Sequence, residues 1–212
     1  MKNFLNKIRT PEKNMNFKNR LLNTIYVLLL GIILGVSSKW LDNLGINDAI
    51  WWHRILGALD LANVFSSFGI WLVIAIAISV FSNTPLRASL NVFFFFIGMT
   101  ISYHLYTIYF SGFNPMNYMM IWYMFTLVSP ILAFVCWYAK GKGKISLIIS
   151  SLILCVMLNF SFSVGMWYIY FKSMIDLIIF VSTLLILYVN PKNSICSLGI
   201  SFILAFIVSS II

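Results

Sequence analysis

Charge is what this sequence has least of. Of its 212 residues 9% are charged and five are acidic, whereas soluble domains carry roughly a quarter charged residues. Glutamate occurs once, as Glu12, and histidine twice, as His53 and His104. Paired mid-membrane carboxylates are missing, which argues against a proton pump built on a carboxylate relay. Three cysteines, Cys136, Cys155 and Cys196, stand 19 and 41 residues apart; these spacings fit no zinc or redox motif and read as small apolar packing residues. HExxH, GxSxG and P-loop patterns are absent. No catalytic residue, metal ligand or cofactor is therefore assigned.

What is abundant is apolar surface. At 61% hydrophobic, the chain exceeds what one small soluble core can bury, so its solvent is lipid. Seven apolar segments are read as spans: Leu22–Ser38, Phe65–Ser82, Ala88–Phe110, Met119–Ala139, Ile145–Val164, Met174–Val189 and Ile195–Ile212. The last two are short, which leaves six spans plus a re-entrant segment as the alternative. The fold class expected is an all-α polytopic transmembrane bundle. Residues 1–21 form a basic cytoplasmic tail, and residues 22–212 form a single transmembrane domain with an outer interfacial helix near 47–63. The first apolar run has the basic flank of a signal peptide, but its length and the spans that follow favour an uncleaved first span.

Charge placement orients the bundle. With the N-terminus inside, the inner segments hold eleven of fourteen basic residues: Lys2, Lys7, Arg9, Lys13, Lys18, Arg20, Arg87, Lys140, Lys142, Lys144 and Lys192. The outer segments hold Lys39, Arg54 and Lys172, with Asp42, Asp48, Asp60 and Asp176. This is the positive-inside bias. The net charge of +9 then belongs to topology, and a nucleic-acid partner is not expected.

Small or polar residues recur at helical spacing in several spans. Gly31 and Gly35 form a GxxxG pair on the first, Ser151, Cys155, Asn159 and Ser163 a stripe on the fifth, and Ser197, Ser201, Ala205 and Ser209 a stripe on the seventh. Such stripes let helices approach closely in lipid; the glycine pair serves either packing within the bundle or a partner. Pro130 falls inside the fourth span and is expected either to kink it or to leave Thr126 and Ser129 to satisfy the carbonyls it frees. Thr100, His104, Thr107 and Ser111 share one face of the third span. That face meets either a neighbouring helix or a wet cavity.

Ser37–Phe65 concentrates three acids, one histidine and three tryptophans between two apolar runs. From Asn47 it reads as a helix capped by Asn47 with Asp48 at its positive end, bending near Gly57 or Gly69. On the expected topology thirteen tyrosines and tryptophans fall in the outer half and four in the inner half. This is either a lopsided aromatic belt or the wall of an outward-facing pocket. The candidate ligand residues are Trp52, His53, Asp60, Trp71, Tyr103, His104, Tyr106, Trp122, Trp167 and Asp176, with Gly31 and Gly35 for helix packing.

The stretches SKWLDN, SNTPLRASLNVFFFFIGM, SYHLYT and NYMMIWYMFTLVSPILAFVCWYAKGKG resemble a family of small uncharacterised polytopic membrane proteins of Firmicutes, over roughly two-thirds of the chain. In architecture the chain is also similar to the substrate-capturing membrane subunits of energy-coupling-factor transporters. It differs in its seven spans, where six are usual, and in carrying no vitamin-specific motif. The second resemblance implies an outer ligand pocket and docking of the first span through small residues, where Gly31 and Gly35 stand. The functional expectation is a multi-pass cell-membrane protein that captures or transports a small, partly apolar molecule from the outer side. The alternatives are an assembly or regulatory subunit of a larger membrane complex and an intramembrane enzyme. The partners expected are the lipid bilayer and other membrane subunits.

Overall fold

The computed structural model describes residues 2–12, 16–45, 49–165 and 168–211. Asn47, Asp48 and Trp167 lie outside the described residues. In chain order the elements are α1 (Lys2–Ile8), α2 (Phe17–Asp42), α3 (Trp51–Ala58), α4 (Leu61–Ser66), α5 (Phe68–Val80), α6 (Pro85–Ser111) and α7 (Met116–Trp137). A 3-10 turn (Tyr138–Lys140) leads to α8 (Lys144–Ser161), β1 (Phe162–Val164), β2 (Ile169–Phe171), α9 (Met174–Leu187) and α10 (Pro191–Ile211).

Five stretches among the described residues are helical, long and apolar enough to cross a membrane: Phe17–Asp42, Pro85–Ser111, Met116–Lys140, Lys144–Ser161 and Pro191–Ser210. The protein is a multi-pass, mainly helical membrane protein. The other two expected spans are the shorter apolar helices Phe68–Val80 and Met174–Leu187. With 13 and 14 residues they reach only about 20 Å, against a hydrocarbon core of roughly 30 Å. The short members of the set are thus the second and the sixth; the last is a 21-residue helix.

The chain divides into two compact units. One comprises Met1–Lys13, Phe68–Ala88 and Ala133–Ile212; the other comprises Asn14–Ser67 and Ser89–Leu132.

In the first unit α8 packs along α10 and α9, and α9 along α5. Ser151 and Cys155 on α8 are buried, as are Ser197, Ser201 and Ala205 on α10. The hydroxyls of Ser151 and Ser201 turn back onto carbonyls of their own helices, so these two residues fill buried positions with their hydrogen bonds met, whereas the buried Ser161 hydroxyl at the end of α8 has no partner. The expected fifth span stops short of Val164. α8 ends at Ser161, and Ser163, assigned to the α8 stripe, lies instead on β1, which pairs antiparallel with β2 in the register Ser163↔Tyr170. The all-α expectation therefore gains a two-stranded hairpin. The alternating run Phe162-Ser163-Val164 is apolar, polar, apolar, a period-two pattern that a strand satisfies and a helix does not.

The basic N-terminus is not a loose tail. Ile8 is buried in a cluster with Ala88, Trp137 and Tyr138. Its carbonyl accepts from the Lys142 amide at 2.7 Å, and a side chain at Gly141 would collide with that carbonyl. The Arg9 guanidinium donates to Trp137 O at 2.7 Å and Val80 O at 3.0 Å, the last carbonyls of α7 and α5, and lies 4.2 Å over the Trp137 ring. One cation thus caps two helix C-termini, where the negative ends of the helix dipoles favour it. Its partial burial lowers its pKa through desolvation, opposed by nearby Glu12. The Glu12 amide donates to Asn83 O, and Asn83 Nδ2 donates back to Glu12 Oε2, both at 3.0 Å. Residues 5–12 form a strap across the α5–α6 and α7–α8 turns. Local sequence could not reveal it, because its contacts join residue 9 to residues 80 and 137.

In the second unit the described part of the stretch expected as one helix near 47–63 is helical in two pieces. α3 and α4 are separated at Leu59–Asp60, where Asp60 adopts φ 47°, a left-handed conformation that Asp tolerates better than most residues. Ser67 then leaves the helical region. The breaks fall at Asp60 and Ser67, not at Gly57 or Gly69. α7 remains one helix through Pro130. Ser129 Oγ donates to Thr126 O at 2.8 Å, the carbonyl whose helical donor Pro130 lacks. Ser89 Oγ donates to Pro130 O at 2.8 Å.

Candidate functional site

The site is built on the second unit, where α2 and α6 run backbone to backbone. A Cβ at Gly31 would strike Phe95 O, and one at Gly35 would strike Met99 O and Ser102 Oγ. On the facing helix, a Cβ at Gly98 would lie 2.6 Å from Leu28 O. Ser102 Oγ donates to Ile32 O at 3.1 Å. The glycine face of the first span is therefore filled by α6, through the close approach that small residues permit in lipid.

That contact sets the spacing at the far end of both helices. Tyr103 Oη donates to Asp42 Oδ2 at 3.0 Å, and Asn43 Nδ2 donates to Ser111 Oγ at 2.8 Å. Ser66 Oγ, at the end of α4, lies 2.9 Å from Ala62 O and 3.2 Å from Asp42 Oδ1, and its single proton serves the shorter contact. Lys39 Nζ lies 3.7 Å from Asp42 Oδ2 and 5.6 Å from the centroids of both the Tyr103 and Phe113 rings. Lys39 is only 9% exposed, an unusual degree of burial for a lysine. Beside it on α2, Trp40 stacks on Trp52 of α3 with centroids 6.4 Å apart and planes at 13°. Trp52 meets His53 edge-on at 3.9 Å.

His104, the neighbour of Tyr103, reaches different partners. Its Nδ1 lies 2.6 Å from Tyr123 Oη on α7, and its Nε2 lies 2.8 Å from Asn114 Oδ1. A carboxamide oxygen only accepts, so Nε2 carries the hydrogen and Nδ1 accepts from the tyrosine. The histidine is thus hydrogen-bonded between helix and loop, one of the two arrangements its face allowed. Thr100 and Thr107, on the same face, are buried and bond back to Phe96 O and Tyr103 O.

The remaining sequence candidates separate by unit. Trp52, His53, Asp60, Tyr103, His104, Tyr106 and Trp122 belong to the second unit, Trp71 and Asp176 to the first. Trp122 and Trp71 are buried, at 5% and 2% exposure. Tyr106 stacks on Phe110 at 4.5 Å. The Asp60 carboxylate accepts from Asn63 Nδ2, which stabilises the turn between α3 and α4. Asp176 is a helix cap: its amide donates to Ser173 Oγ at 3.1 Å, and the Ser173 hydroxyl donates to its carboxylate at 2.8 Å, closing the first turn of α9. Sequence reasoning passed over Lys39, Asp42, Tyr123 and Asn114. The available signal was the i, i+3 pairing of Lys39 with Asp42 at the end of a span. Comparison with protein-family models, curated proteins and solved structures found no match to this chain.

Proposed function

We propose that the chain captures a small, partly apolar molecule from the outer side of a bacterial cell membrane, at the end of α2 and α6 that carries Lys39, Asp42 and Tyr103. The observation that carries this reading is a buried lysine set beside an exposed aspartate at the ends of membrane-length helices, next to a stacked tryptophan pair. Ionisable groups are costly near lipid and are kept where they meet a ligand, an ion or each other. A few polar groups set against aromatic walls are the usual composition of a small-molecule site. The architectural resemblance read from the sequence accords with this reading and implies a partner of the matching kind, a coupling membrane subunit.

Two experiments test it. Single cysteines at Lys142 and Asn114, with the native cysteines replaced, label from opposite sides of the membrane, Asn114 from outside. Labelling of both from one side overturns the orientation. Native mass spectrometry of the protein released from nanodiscs shows a co-purified small molecule that W52A or K39M loses. A spectrum holding protein and lipid alone, with tryptophan fluorescence unmoved by a metabolite extract, overturns capture.

A further inference from the structure

We infer that α3 is a membrane-surface helix whose outward stripe, Trp51, Ile55 and Leu59, is immersed in the lipid leaflet at the C-terminal end of α2. The inference does not depend on capture. Its first support is that α3 turns large apolar side chains away from the protein as well as towards it. On the protein side Trp52 stacks on Trp40 of α2, and His53 is buried. On the other side Trp51, Ile55 and the capping residue Leu59, at i, i+4 and i+8, are 68%, 49% and 45% exposed. Water solvates such a stripe poorly, whereas acyl chains match it. Arg54, also exposed, lies at one edge of the stripe, where its long side chain reaches lipid phosphates.

The second support is continuity with a lipid-facing surface. α2 is long and apolar enough to cross a membrane. Its Leu29, Ile33, Val36 and Trp40, spaced by four, three and four residues, are exposed along one face. That flank ends at Trp40, the ring on which Trp52 stacks, so α3 is held beside the end of the span. Tryptophan favours this depth, with an apolar body in the leaflet and a polar edge among headgroups. The third support is the change at the Asp60 turn. Beyond it the exposed residues are polar, Asn63 and Ser66 following Asp60 itself, and Asn63 Nδ2 donates to the Asp60 carboxylate. Exposure thus passes from apolar to polar across one left-handed residue, and the bend carries the chain from lipid to water. Three side chains also offer far less surface than the roughly 800 Å² per partner of a standard protein interface, whereas lipid sets no such minimum.

The full chain, with its native cysteines replaced, carries a nitroxide at I55C, L59C or N63C in nanodiscs of phosphatidylcholine and phosphatidylglycerol. Power-saturation electron paramagnetic resonance reads collisions with oxygen, which concentrates among acyl chains, and with a nickel chelate, which stays in water. The oxygen-to-nickel ratio at positions 55 and 59 is several-fold above the ratio at 63. Equal ratios at the three positions, or a higher ratio at 63, place the stripe in water and overturn the inference. Low access to both reagents at 55 and 59, with an immobilised spectrum, shows protein over the stripe and also overturns it; dipolar coupling between labels then names a second copy as that protein. If the labelled variants do not fold, a diazirine phosphatidylcholine is photolysed around the unmodified chain. Adducts richer on residues 51–59 than on 60–66 support immersion, and equal or fewer adducts on 51–59 overturn it.

Discussion

Arg9 and Lys39 are two cations held partly out of water, one in each unit, and the protein treats them differently. Arg9 meets two helix-terminal carbonyls within hydrogen-bond distance and an indole face. Its planar fork suits two acceptors at once, and the result is a structural strap. Lys39 has rings and a carboxylate held just beyond bonding range. Arg9 gives its donors to backbone carbonyls, whereas the Lys39 ammonium lies beside ring faces and keeps contact with solvent. That contrast, more than burial, separates a fastening from a site in a chain with so few charges.

The most severe way to break the contrast is to remove the scaffold under Lys39. Leucine at both Gly31 and Gly35 would place side chains into the backbone of α6, and packing at interior density leaves no room for them. The expected outcome is loss of monodisperse protein in detergent, read by size-exclusion chromatography. Next comes R9M, which leaves Val80 O and Trp137 O without the donor that caps them. The loss is about 2–3 kcal/mol, seen as earlier unfolding in a denaturant titration in mixed micelles. R9K recovers only part of it, because an ammonium lacks the fork. K39M sharpens the comparison from the other side. Its stability changes by less than about 1 kcal/mol, in the same titration, while the co-purified small molecule is lost. A K39M protein as destabilised as R9M would make Lys39 a second fastening. The smallest effect belongs to S129A, which leaves Thr126 O unbonded beside Pro130 and costs about 1 kcal/mol, with the co-purified small molecule retained.

Pro130 shows what a sequence can reveal when cause and effect lie close together. The missing amide, the carbonyl four residues earlier and the serine beside it fall within one turn of helix, so the part of Ser129 was legible; Thr126, expected to share it, turns its hydroxyl back onto Trp122 O. The capping of α9 by Ser173 and Asp176 was just as local, yet Asp176 was read as a ligand residue, because an outer acid next to a span suits either role. The turn at Asp60 depended on an aspartate entering the left-handed region, which competes with an otherwise helical pattern of apolar spacing. The Gly31–Gly35 pair announced a close contact but could not name its partner, since α6 and an external helix would present the same requirement.

By itself the sequence determined the solvent and the layout. The scarcity of charge and the long apolar runs specify helices in lipid, because transfer free energy sums over residues whatever their neighbours are. Which cation is fastened and which lies beside rings was decided only by tertiary structure. Arg9 became a cap when the ends of α5 and α7 came within reach of its guanidinium, and Lys39 came to lie beside the rings of Tyr103 and Phe113 when α2 met α6. Hydrogen bonds act over about 3 Å, so their assignment waits until the fold has brought residues far apart in the chain to that distance.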